Sequence, residues 1–173
     1  FDSKTLRQRQ SLMRAVVGTI QWLGTISRPD LSFFASWFAS CVPESTVENL
    51  KAARTVLENG LSKSFCIEFR PINGKWILDA HSDASFGGHA DGSSQLGHIV
   101  RIYGSLMRPG PSGLIYWTSR KSKRVARSTL TAETLACVET VDHTYTLAEA
   151  IFEITGERPE VHIYTDCESL WKS

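Results

Sequence analysis

The sequence predicts a mixed α/β protein in which a small helical unit precedes a mixed sheet covered by one long helix. Three observations predict it. Apolar residues recur at helical spacing from Leu12 to Leu61, they alternate with polar residues after Gly60, and one long helical pattern from Leu130 to Gly156 lies between two apolar strands. A chain of 173 residues can bury one good core or two small ones. Its 42% hydrophobic and 21% charged residues are those of a folded globular chain and exclude disorder. The net charge of +1 supplies no whole-molecule attraction for a polyanion, so any nucleic-acid contact must be local.

The first helix follows from Leu12, Val16, Ile20 and Leu23, spaced three or four apart, and ends near Ser27-Arg28-Pro29. Asp30 is placed to cap a second helix whose stripe is Leu31, Phe34, Ala35 and Phe38. After the break at Pro43, a third helix carries Val47, Leu50, Ala53, Leu57 and Leu61 on one side. The aromatic residues Trp22, Phe33, Phe34, Trp37 and Phe38 are read as core, with nucleic-acid stacking as the alternative. A boundary is expected between residues 62 and 63. Phe65, Ile67 and Phe69 then alternate as in a strand, and Asn73-Gly74 predicts a hairpin to a strand from Trp76 to Ser82.

A polar, glycine-rich loop is expected from Ala84 to Gln95, followed by strands Leu96 to Tyr103 and Leu114 to Thr118 with Pro109, Gly110, Pro111 and Gly113 between them. The long helix is expected to bury one stripe, Leu130, Thr134, Cys137, Val138, Val141, Tyr145, Ala148 and Phe152, and to end at Gly156 and Pro159. A final strand runs from Val161 to Thr165. Cys41, Cys66, Cys137 and Cys167 form no C-x-x-C pair and read as reduced intracellular thiols. The longest apolar stretch, Ala15 to Ile26, is too short for a bilayer, and no membrane partner is expected. Both ends read as cut from a longer polypeptide.

Asp83 and Asp166 each follow an apolar strand, and the helix between those strands is long enough to join parallel neighbours. Two carboxylates at one rim repel unless a cation lies between them, and hard oxygen ligands select Mg²⁺ or Mn²⁺. Glu133 lies within the long helix's apolar stripe, from which it could reach the same rim. Taken singly, the aspartates could be turn or helix-cap residues and Glu133 a helix-dipole partner.

At these residues the sequence resembles the end of the reverse transcriptase and the ribonuclease H of a copia-type retrotransposon polyprotein. Val17-Gly18-Thr19-Ile20-Gln21-Trp22-Leu23, Ser27-Arg28-Pro29-Asp30-Leu31-Ser32-Phe33 and Lys51-Ala52-Ala53-Arg54-Thr55-Val56-Leu57 are similar to the helical thumb or connection region. Ser82-Asp83-Ala84, Ser128-Thr129-Leu130-Thr131-Ala132-Glu133 and Tyr164-Thr165-Asp166-Cys167-Glu168-Ser169 are similar to three carboxylate motifs, and Trp117-Thr118-Ser119-Arg120-Lys121-Ser122-Lys123 to the basic strand end before the second. The resemblance implies a ribonuclease H-like, five-stranded mixed sheet over residues 63–173, incomplete at its C-terminus. It implies endonucleolytic hydrolysis of the RNA strand of an RNA–DNA hybrid by two Mg²⁺ or Mn²⁺ ions on Asp83, Glu133 and Asp166. The rest of the polyprotein would be a partner, in a cytoplasmic particle or the nucleus. Ser85 and His89 stand where the family pattern is acidic, and a fourth carboxylate would lie beyond Ser173.

Arg120, Lys121, Lys123, Arg124 and Arg127 form the one concentrated basic segment, read either as a solvated loop or as a phosphate-gripping edge. The five histidines show no ligand spacing. Two rival functions remain: a catalytically silent nucleic-acid-binding module, and a structural connection within a polyprotein.

Overall fold

The computed structural model of the protein describes residues 3–89, 91–107 and 113–172. The expected Pro109-Gly110-Pro111 loop lies outside them. The chain packs as two compact units, Phe1–Cys66 and Ile67–Ser173.

In the first unit, helix α1 (Ser3–Ile26) is followed by a 3-10 turn (Pro29–Leu31), α2 (Ser32–Cys41) and α3 (Val47–Ser62). Met13, Val17, Ile20, Leu31, Ala35, Phe38 and Ala53 form its core. Thr46 caps α3 by accepting the Asn49 N–H at 3.1 Å. Asp30, expected as a cap, instead accepts two hydrogen bonds from Arg28, at 2.9 and 2.7 Å. Arg28 also donates to the Gly60 carbonyl, which ties the α1–α2 corner to the end of α3. The core reading holds for Phe38 but not for Trp22, which is 64% exposed, or for Phe33, Phe34 and Trp37. Helix α2 carries large rings around most of its circumference and can bury only one stripe. Leu31, Ala35 and Phe38 take that stripe, and Phe33 and Trp37 stack on each other at the surface, 6.0 Å between centroids.

The second unit contains β1 (Trp76–Ser85), β2 (Gln95–Gly104), β3 (Gly113–Lys121), α4 (Thr129–Thr155), β4 (Glu160–Thr165) and a single-turn α5 (Glu168–Trp171). Its mixed four-stranded sheet has the order β3-β2-β1-β4, antiparallel except for the β1–β4 pair. Leu78 and Ala80 of β1, Val100 and Ile102 of β2 and Ala148 of α4 form the core, with Val161 and Ile163 packed against it. Among the described residues no helix is long and apolar enough to cross a membrane.

Three expectations are corrected here. Residues Phe65 to Phe69 form no strand, so the described sheet consists of β1 to β4 and lacks the strand expected before Asn73-Gly74. β1 already has β2 on one edge and β4 on the other, which leaves no ladder for a hairpin partner. Asn73 and Gly74 do turn the chain, with Gly74 at φ 83°, but against the end of β2: Ser105 N–H donates to the Lys75 carbonyl at 2.8 Å.

The second correction concerns α4, which meets the sheet with Ala132, Glu133, Ala136, Thr140, Thr144 and Ala148. Of the expected stripe only Ala148 is buried, and Leu130, Val138, Tyr145 and Phe152 face solvent. Small side chains let the helix backbone lie close to the strands. The buried Thr140 and Thr144 hydroxyls are satisfied by donating to the carbonyls of Ala136 and Thr140, at 2.7 and 2.6 Å. Third, the strands run longer than expected at their ends, which places Asp83, Arg120 and Lys121 inside the sheet.

Gly104 marks a backbone crossing, since a Cβ there would lie 1.9 Å from the Asn73 carbonyl oxygen. Gly104→Ala is therefore expected to destabilise the second unit by about 3 kcal/mol, because backbone has to shift to relieve the overlap. An unchanged urea midpoint would refute the crossing.

Candidate metal centre

The last parallel pair of β1 and β4 is Ser82 with Thr165. Asp83 and Asp166 are the next residues on the two strands, so the register alone brings both carboxylates to one rim of the sheet. Asp83 still lies within β1, opposite Gly97 of β2. The rim is held locally: Ser82 Oγ donates to the Tyr164 carbonyl at 3.4 Å, and Thr165 Oγ accepts the Cys167 N–H at 3.2 Å.

Glu133 arrives from α4. Ser128 caps that helix by accepting the Thr131 N–H at 3.1 Å, and Glu133 follows on the sheet-facing row with Ala132 and Ala136. The three carboxylates each offer an oxygen, and those atoms lie within 4.8 Å of one another. Asp83 and Asp166 are exposed, whereas Glu133 is 6% exposed.

Burial raises the Glu133 carboxyl above its ordinary range, and the charges of Asp83 and Asp166 raise it further. A backbone hydrogen bond from Ala84 opposes this in part. Glu133 Oε2 is buried without a hydrogen-bond partner. Leaving such an atom unpaired costs about 1–3 kcal/mol, and a cation placed among the three carboxylates would satisfy it. Three carboxylates of like charge, one of them with an orphaned buried oxygen, offer the hard donors that fit Mg²⁺ or Mn²⁺. Asp83 is inside a strand and so is no turn residue, and α5 has Cys167 at its cap position with no side-chain cap, while Asp166 lies in the two-residue connection between β4 and α5.

The basic segment divides. Arg120, on β3, forms a two-pronged ion pair with Glu139 of α4. Lys121 pairs with Asp91 at 2.5 Å. These two cations are paired with acids of the second unit. Lys123, Arg124 and Arg127 are exposed, and among the described residues none of them meets a carboxylate. Their loop is fixed from within by Ser122, whose hydroxyl bonds Arg124 N–H and carbonyl at 3.1 and 2.8 Å, and by buried Ala126.

His89, which stands where the family pattern is acidic, is buried, with Nε2 2.8 Å from Gln95 Oε1, and Gln95 donates to Ser119 Oγ. Sequence reading missed two buried polar groups. His98 Nε2 lies 3.1 Å from His143 Nδ1 between the sheet and α4. Asp79, 7% exposed, accepts the Tyr103 hydroxyl at 2.8 Å and lies 3.2 Å from His162 Nδ1. An acid inside the apolar run from Trp76 to Ala80 was the available signal for the second.

No protein-family model, curated protein or solved structure matches this chain.

Proposed function

We propose that the second unit is a metal-dependent ribonuclease H of the copia retrotransposon type, cutting the RNA strand of RNA–DNA hybrids. The observation that carries this reading is the joint placement of Asp83, Glu133 and Asp166 with a buried, unpartnered Glu133 oxygen. Support comes also from the order of elements, in which three antiparallel strands, a helix and a parallel fourth strand deliver the carboxylates from β1, α4 and the end of β4. Divalent ions bound there supply an activated water and stabilise the leaving oxygen for phosphodiester hydrolysis.

The chain's own residues contribute positioning and charge. Asp83 is held by paired strand backbone opposite Gly97, and Asp166 follows directly on the last paired residue of β4, Thr165, so the sheet register brings the two to one rim. Glu133 closes the cluster from the buried, sheet-facing row of α4. Lys123, Arg124 and Arg127, on the short loop leading into α4, are placed to hold phosphates of the duplex without reading bases.

Cleavage of a labelled RNA–DNA hybrid in Mg²⁺ or Mn²⁺ tests the reading, with Asp83→Asn as the control. Metal-dependent cutting abolished by Asp83→Asn is the expected result. Hybrid binding with no cutting in either ion would overturn the catalytic assignment and leave the binding module. Replacing Lys123, Arg124 and Arg127 together by Ala is expected to lower the slope of log K against log salt by about 2 to 3, close to one per lost phosphate contact. Arg120→Ala should instead lower the melting temperature, since it breaks the pair with Glu139. Equal effects of the two changes on the salt slope would refute this division.

A further inference from the structure

Residues 86–94 connect β1 to β2, and this connection is held by polar side chains that the carboxylate cluster does not use. His89, Ser94 and Gln95 are all buried. Gln95 Nε2 donates to Ser119 Oγ at 2.8 Å, so Gln95 Oε1 is the acceptor in its 2.8 Å bond with His89, and His89 carries a proton on Nε2. The imidazole, the amide and the hydroxyl thus form one directed relay from the connection to β3.

Two further ties join the same parts. Ser122 N–H donates to the Ser94 carbonyl at 2.8 Å, and Lys121 pairs with Asp91, whose other oxygen accepts the Ser93 N–H at 3.1 Å. Ser119 and Lys121 close β3, and Ser122 opens the loop of Lys123, Arg124 and Arg127, where its hydroxyl bonds the Arg124 backbone. The connection itself begins just after Ala84, whose backbone hydrogen-bonds Glu133. Surface loops joined only by the chain are free to open locally. Here three ties, one of them a buried and mutually satisfied relay, bind the loop that follows Asp83 to the loop that carries the cations. Such networks fix one arrangement, and a site whose supporting groups are loose loses its geometry.

We propose that His89 is a positioning residue: through Gln95 and Ser119 it locks the β1–β2 connection to the end of β3 and so sets where the phosphate-holding loop stands relative to the carboxylates. The inference rests on the reading of Lys123, Arg124 and Arg127 as phosphate contacts. It adds that their distance from the cut is fixed by a buried side chain that acts through others.

The test uses the full 173-residue chain. His89→Leu breaks the relay, Ser119→Ala cuts its far end with a smaller change, and His89→Gln keeps an N–H donor for Gln95 Oε1. Hydrogen exchange over residues 121–127 reads the coupling without nucleic acid: the first two changes should speed it by on the order of tenfold, and His89→Gln should leave it near the wild type. Hybrid binding in EDTA reads the function. His89→Leu should weaken it by about tenfold and lower the slope of log K against log salt by about 1, while the Mn²⁺ affinity of the free protein stays the same. A side chain that only supports the fold would weaken the complex equally after Lys123, Arg124 and Arg127 are replaced by Ala. A positioning residue then has nothing left to position, so the effect of His89→Leu should vanish in that background. An undiminished effect there, failure of His89→Gln to restore binding, or unchanged exchange in both broken variants beside normal wild-type binding would each overturn this proposal alone. Absence of salt-dependent hybrid binding by the wild type would overturn the phosphate reading and this proposal with it.

Discussion

Glu133→Gln is expected to make the metal-free protein more stable and, on the proposed ribonuclease reading, to abolish metal binding and hybrid cleavage. The amide still accepts the Ala84 N–H, but it takes an ionised group out of a buried position beside Asp83 and Asp166. Relief of one buried, unpartnered charge is expected to be worth about 1–3 kcal/mol at neutral pH. The sign follows from the direction of the shift. A carboxyl whose folded-state affinity for the proton exceeds its unfolded one adds stability below the ordinary range and loses it as pH rises through the folded value. The advantage of the Gln variant should therefore open as pH rises and close in acid. Urea unfolding in EDTA, at low and at neutral pH, measures it. Cleavage should fall by on the order of 100-fold or more, since a bound metal contributes several kcal/mol to such reactions. A variant that is less stable in EDTA and still cuts would refute the assignment of Glu133.

The second large effect is acid sensitivity through His98. This imidazole is 4% exposed, with the Tyr116 and His143 rings 5.5 and 4.9 Å away and its Nε2 shared with His143 Nδ1. Burial holds its pKa down to about 4, and His143 and Arg120 push the same way. Glu139, which pairs with Arg120, is the nearby acid on α4. Because the folded value is depressed, the neutral ring's contribution is fully present above 6.5 and is lost as pH falls from there toward 4. The gap corresponds to about 3 kcal/mol at most. Urea midpoints across this range should fall in the wild type and fall much less in His98→Phe, which keeps a ring for stacking and has no proton to gain. Working in the Glu133→Gln background removes the opposing contribution of Glu133. Equal pH dependence with and without His98 would place the acid sensitivity elsewhere.

Much of the second unit was legible residue by residue. The strands β1 to β4, and Gly156 in the left-handed conformation at φ 75° ending α4, rest on local chemistry, and a sequence displays that directly. The two aspartates were legible for a related reason: an acid at the carboxyl end of an apolar strand is visible as a break in a pattern. Glu133 was singled out on a stripe that faces solvent and lies instead on the buried Ala and Thr row.

What escaped the sequence depended on neighbours. The Val and Tyr stripe of α4 was the expected buried face, and only the close approach of the sheet chose the smaller hydroxyl and methyl row instead. Phe65 to Phe69 alternates like a strand, but strands exist by pairing, and the edges of β1 were taken by β2 and β4. The basic segment read as one patch until Glu139 and Asp91, distant in sequence, claimed Arg120 and Lys121. His98 and His143 lie 45 positions apart and meet only because α4 crosses β2. The sequence by itself determined the local elements and the carboxylates at their ends. The tertiary structure decided which faces are buried and which charges are paired, because burial and pairing are properties of two surfaces at once.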